Sequence, residues 1–278
     1  MAFDGRASVM TQNRQTVMHE VNELHLKTFG AWVNFHLQKV DRRADDPLND
    51  FRDGTLLIKL AESLLNQPCS LRYNQFPSND YQRVDNVVIA LKFLSPTVQL
   101  SDIDPKAIVS GSVKDLLALM WRLIITFQAF RKTDGGQQTC DQSELRRKLL
   151  EFVRQRTTPY GLTVVDFGKS FSDGMAFCAL VDSICPGLLN YSQLTPSRPY
   201  DNMRLAFMAA AEYLQVPPIL DPADMCNPDP RKRPDEQCVM AYLLPFVEAM
   251  LARAEYLNNN PPNPQASLQP PQPPQPQP

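Results

Sequence analysis

The sequence lacks an excess of either charge. It holds 28 Lys plus Arg against 30 Asp plus Glu, a formal net charge of -2. A protein built to coat nucleic acid carries a strong basic surplus, so that class is excluded. No uninterrupted apolar run reaches the roughly 18–20 residues of a membrane span. The most hydrophobic stretch, Leu116–Ile125, is short and contains Arg122. The first residues show no charged-then-apolar signal pattern. Ala2 stands where N-myristoylation needs glycine, and Pro276-Gln277-Pro278 is no prenylation box.

Metal and catalytic motifs are also missing. The six cysteines form no C-x-x-C pair, and a chain of this length does not need disulfide staples. They read as free thiols of a cytosolic protein. All three histidines (His19, His25 and His36) fall in the first 36 residues, away in sequence from every cysteine. No H-E-x-x-H, phosphate-binding loop or G-x-S-x-G occurs. The expectation is therefore no metal, no cofactor and no catalytic site. Alternation of period two, the mark of a half-buried strand, is absent as well, so the expected fold class is all-α.

What is present is mixed along the chain. Of the 25 prolines, 9 lie between Asn258 and Pro278, where 18 of 21 residues are Pro, Gln or Asn. Such a segment cannot bury enough apolar surface to offset its ordering cost, so residues 254–278 are expected to form a disordered tail or linker. Arg131–Cys140, with Gly135-Gly136, reads as a second break.

Between these breaks the chain repeats itself. At a shift of 120, Phe51-Arg52-Asp53-Gly54 falls on Phe171-Ser172-Asp173-Gly174, and Trp32-Val33 on Phe152-Val153. The same shift places Ala90, Phe93 and Leu94 on Ala210, Tyr213 and Leu214. At a slightly shorter shift Ile103-Asp104-Pro105 matches Leu220-Asp221-Pro222. A period this long means two tandem domains rather than a solenoid. The expected division is 1–24 as an N-terminal extension, 25–131 as the first domain, 132–141 as linker, 142–253 as the second domain and 254–278 as tail.

Each unit reads as helical. Leu26, Phe29, Val33, Leu37 and Val40 recur at helical spacing. Further helices are expected at Leu56–Leu65, Asn86–Leu94 and Ser112–Phe127. The second unit should carry them at Glu144–Arg154, Met175–Ser183, Asn202–Leu214 and Pro234–Met250. Pro245 should bend or end the last. The Ser112–Phe127 helix is apolar nearly all round, so one small domain cannot cover it and the remaining face must meet a partner. Asp53-Gly54 and Asp173-Gly174 read as helix-capping turns.

These residues resemble the calponin homology domain. In the first unit the matches are Lys27-Thr28-Phe29, Trp32-Val33-Asn34, His36-Leu37, Asp50–Gly54 and Asn86-Val87. In the second they are Ser172-Asp173-Gly174, Ala176-Phe177, Leu220-Asp221-Pro222 and Pro234-Asp235-Glu236. Their order resembles the tandem actin-binding module of the alpha-actinin, spectrin, filamin and fimbrin group. The resemblance implies a non-catalytic F-actin-binding module at the cytoplasmic actin cytoskeleton, with most affinity in the first domain and modulation by the second. It implies contact through Lys27, Thr28, Trp32 and Asn34 on the first helix. On the last helix of the first domain it implies Lys114, Leu116, Leu117, Met120 and Trp121. On the helix opening the second domain it implies Arg146, Arg147, Leu150 and Arg154. Bundling would require a homodimer through regions outside the two domains, or a further domain.

Several positions depart from the family pattern. Leu71–Arg83, often basic in relatives, carries only Arg72 and Arg83. Thr158–Phe167 holds no Lys or Arg, so no strong lipid binding is expected there. Gln237 stands where relatives often carry a lysine, one that would pack on the partner of Trp121. The missing cation–π contact, about 0.5–2 kcal/mol, predicts a compact state less secured at that point. The alternative is a scaffold, signalling adaptor or tubulin binder that keeps the fold with weak actin affinity.

Overall fold

The computed structural model describes residues 4–129 and 142–259, all helix, turn and loop with no strand among them. The first unit holds α1 (Asp4–Leu37), α2 (Pro47–Asp50), α3 (Thr55–Leu65), α4 (Asp80–Leu94), α5 (Pro105–Ser110) and α6 (Val113–Ala129). The second holds α7 (Gln142–Thr157), α8 (Met175–Ile184), α9 (Pro199–Leu214), α10 (Pro222–Met225) and α11 (Glu236–Asn259). The all-α class and the two-unit organisation match expectation. Helix α1 continues back to Asp4, and α11 continues to Asn259, past the point where a tail was expected. The expected linker and the rest of the tail lie outside the described residues.

The α1 stripe folds as its spacing predicts. Phe29, Val33 and Leu37 are buried, and a 3-10 turn at Gln38–Val40 closes the helix. The all-apolar α6 is sunk between elements of both units, packing on α1 and on α11. Leu119, Met120, Leu123 and Ile124 are fully covered.

The two Asp-Gly turns are equivalent in detail. The Asp53 carboxylate accepts from the Thr55 amide at 2.8 Å, and Asp173 accepts from the Met175 amide at 3.0 Å. Gly54 and Gly174 follow with φ of 77 and 76, the left-handed region that favours glycine. An asparagine locks each turn to the next long helix. The Asn86 amide donates to Asp53 O at 2.9 Å and Asn74 O at 2.8 Å; Asn202 donates to Asp173 O and Thr195 O, both at 2.9 Å.

This pair corrects the register read from sequence. Asn86 corresponds to Asn202, a shift of 116, so Ala90 matches Ala206 rather than Ala210. A slip of four residues is one helical turn and leaves the apolar stripe in place, which is why spacing alone admits it. Only the asparagine, bonded to a fixed carbonyl, discriminates.

Pro245 does not end the last helix: α11 continues past it to Asn259. Proline removes the N–H that would serve the carbonyl four residues earlier, at Ala241. That carbonyl finds its donor in the other unit, as described below. α11 is also long and apolar enough by composition to cross a membrane, but half of that window is buried in the fold. Its hydropathy is accounted for by core residues Cys238–Phe246.

A Cβ at Gly54 would lie 2.6 Å from Asn86 Cβ, whereas one at Gly161, also at positive φ, would meet nothing within 4 Å. Gly161→Ala should therefore cost only the left-handed backbone penalty, about 1–2 kcal/mol. Gly54→Ala should cost distinctly more. Equal losses in chemical denaturation would refute the steric account.

Candidate functional site

The two units meet where α1 and α6 of the first pack on α11 of the second. His25 and Phe29 on α1 stack with ring centroids 5.2 Å apart, and Phe29 stacks on Trp121 of α6 at 5.8 Å. At the end of this column His25 Nε2 lies 2.9 Å from Asp235 Oδ1, just before α11. Asp235 is held below the usual carboxylate range: burial pushes it up, and the contact with His25 and the amide of Cys238 outweigh that. Lys27 donates to Asp221 at 3.1 Å and to Asp224 at 2.5 Å. Burial pulls the Lys27 ammonium down, but bonds to those two carboxylates leave it raised overall.

Deeper in, Gln128 of α6 completes the proline gap. With its amide oriented to suit its neighbours, the nitrogen donates to Ala241 O at 3.3 Å and the oxygen accepts from Trp32 Nε1 at 2.6 Å. One buried side chain thus satisfies an indole of the first unit and the carbonyl that Pro245 leaves free in the second. Magnitudes rank the two links. Lys27 is half-exposed, and such ion pairs contribute about 0.2–1 kcal/mol. Removing Gln128 would leave a buried donor and a buried acceptor unpaired, about 1–3 kcal/mol each.

The expected contact residues divide by burial. Thr28, Trp32, Leu116, Leu117, Met120 and Trp121 are buried in this arrangement. Asn34 is tied to the chain at Ala44, donating to its carbonyl and accepting from its amide, both at 2.8 Å. Lys114 is exposed. In the second unit Arg146 forks onto Glu236 at 2.9 and 2.8 Å and lies over the Phe167 ring. Arg154 donates to Val164 O at 2.7 Å, and Leu150 is buried. Arg147 is exposed, with a loose 3.6 Å contact to Glu151. Gln237 is half-buried, and its amide donates to the Asp235 carboxylate at 3.0 Å. The ring partner of Trp121 is Phe29 of its own unit.

Sequence reasoning passed over other residues. Phe76 and Tyr81 are 91% and 90% exposed on the first unit. Tyr81 and Val88 line a groove there with Arg52 and Lys106. Their signal was two aromatics among turn formers, on no apolar stripe. His25, Gln128, Asp221 and Asp224 had none, because their partners are about 110–210 residues away.

With this geometry established, comparison with known proteins is decisive. A model of the calponin homology (CH) domain matches residues 24–129 and again residues 143–252. The chain belongs to the calponin homology family. Sarcomeric alpha-actinin of Drosophila melanogaster is 33% identical over 235 residues, 84% of this chain and 24% of that protein. Alpha-actinin-1 of Homo sapiens is 32% identical over 225 residues, 80% of this chain and 24% of its own length. Filamin-C of Rattus norvegicus is 30% identical over 250 residues, covering 88% and 9% respectively. The chain thus spans about a quarter or less of these relatives. Among solved structures, the actin-crosslinking core of Schizosaccharomyces pombe fimbrin superposes with a TM-score of 0.57 at 19% identity, covering 81% of this chain and 50% of that one. At that identity the likeness is one of fold. The tandem CH arrangement of the alpha-actinin and filamin type, read from the motifs, holds.

Gln128→Ala should loosen the CH1–CH2 junction more than Lys27→Ala. Small-angle scattering of both variants tests this; equal or reversed expansion would sink the ranking. Acid should act through the carboxylates. Asp221 is held low by the Ala223 amide and by Lys27, against burial, and Asp235 is held low as well. Their stabilising contribution is present above the ordinary carboxylate value near 3.9 and is lost as pH falls through the lower folded values. The junction should therefore stay closed at pH 5–7 and open only below about pH 4. Opening between pH 7 and 5 would contradict it.

Proposed function

We propose that this chain is the F-actin-binding module of a cytoskeletal cross-linking or anchoring protein at the cytoplasmic actin cytoskeleton. It acts by binding, without catalysis. CH1 carries most of the affinity, and CH2 modulates it by covering part of the contact surface. The observation that carries this reading is the state of α6: its apolar surface is larger than CH1 can cover, and α11 of CH2 completes the cover. A surface covered by a neighbouring domain whose charged links are half-exposed is available to a partner that offers equivalent cover. The names of the relatives supply the partner, since fimbrin's solved fragment is described as an actin-crosslinking core.

In this reading Leu116, Leu117, Met120 and Trp121 meet actin after CH2 moves aside. Lys114 and Arg147 are accessible in either arrangement. Phe76 and Tyr81 add an apolar contact that compensates for the low basicity of residues 71–83. Cross-linking of filaments then depends on a second module or on dimerisation outside the two CH domains.

High-speed cosedimentation with F-actin at two salt concentrations, beside a microtubule control, tests the proposal. Saturable binding to actin alone is expected. Tyr81→Ala and Phe76→Ala should each weaken it about tenfold, the loss typical of an aromatic anchor. Absence of actin pelleting at high micromolar protein would mean the fold serves another partner, with tubulin binding read directly from the control.

A further inference from the structure

His25 and Asp235 are 210 residues apart, yet the fold brings them together beside Cys238. An imidazole nitrogen, a carboxylate oxygen and a thiol sulfur all lie within 4.8 Å of one another. His25 belongs to the CH1 side of the junction; Asp235 and Cys238 open α11 of CH2. His25 and Cys238 are buried, while the Asp235 side chain is 43% exposed.

This is a mixed nitrogen, oxygen and sulfur donor set, the set Zn2+ takes at about 2.0–2.3 Å from each atom. A tetrahedral ion holds such ligands roughly 3.3–3.8 Å apart. The 2.9 Å contact between His25 Nε2 and Asp235 Oδ1 must open so that an ion can enter beside Oδ2, and the thiol must draw in. Asp235 Oδ1 already serves the amides of Gln237 and Cys238, at 3.0 and 3.2 Å, which leaves Oδ2 for an ion. Thr28 is within hydrogen-bonding reach of the Cys238 thiol and favours its charged form.

We propose that His25, Asp235 and Cys238 form a Zn2+ site that clamps CH1 to CH2, with water as the fourth ligand on the open Asp235 side. Charge supports it: one dication with one carboxylate and one thiolate is neutral, which suits a largely buried junction. No redox step is involved. Cys238 gives its thiol proton to solvent as the S–Zn bond forms, and the hydrogen that His25 Nε2 directs at Asp235 is lost to solvent while Nδ1 holds one, which frees the Nε2 lone pair for the ion. Burial pushes the free Cys238 thiol up, so binding releases protons and weakens toward acid. All three ligands exist together only when the domains are closed. At Zn2+ a hundredfold above Kd the closed-to-open ratio rises about a hundredfold.

The test is metal binding by the full chain, so its outcome is independent of any actin measurement. Co2+ serves as a spectroscopic stand-in and Zn2+ as competitor. One Co2+ per chain is expected, with a thiolate-to-cobalt charge-transfer band that Zn2+ abolishes. Cys238→Ser should remove the band, and His25→Ala should weaken binding at least tenfold; Cys69→Ser should change neither. Circular dichroism checks that each variant is folded. If Cys238→Ser fails to fold, His25→Ala decides alone. A band that survives in folded Cys238→Ser, or equal affinity in wild type and His25→Ala, overturns the proposal.

Discussion

The carbonyl of Ala241 is the point on which the tandem arrangement turns. Pro245 removes its helical donor, and a buried carbonyl without a donor is costly. Gln128 reaches across from CH1 to supply one, and its other end satisfies the Trp32 indole. A residue that breaks a local rule in one domain thus creates a requirement that only the neighbouring domain meets. The continuation of α11 through its proline and the closure of the two CH domains are one fact seen from two sides.

Around that bridge the junction is built from interactions of modest strength. The His25–Phe29–Trp121 column is apolar and ordered, but Lys27 and its two carboxylates remain half-exposed to water. An interface assembled this way is suited to opening. It hides the apolar surface of α6 from solvent. The polar links across the junction run through His25, Lys27 and Gln128.

Much of the fold was legible because it rests on short-range rules. The spacing of Phe29, Val33 and Leu37 fixes one face of a helix, and Asp-Gly fixes a capped turn, whatever lies elsewhere in the chain. The duplication was legible for the same reason, since two copies of one local pattern stand in one order. The register of the third long helix was not, because sliding by one turn preserves an apolar stripe. The site was legible only in part. Matching residues to a family singled out helices, but burial of Thr28, Trp32 and Met120 depends on what packs over them.

The sequence by itself determined the helices, their caps, the division into two similar domains and the family. Each follows from residues within a few turns of one another or from a pattern repeated along the chain. The tertiary structure alone decided that His25 meets Asp235, that Gln128 answers Pro245, and that Phe76 and Tyr81 stay exposed. Those outcomes depend on how two separately folded surfaces dock, and no local spacing encodes a contact across 210 residues.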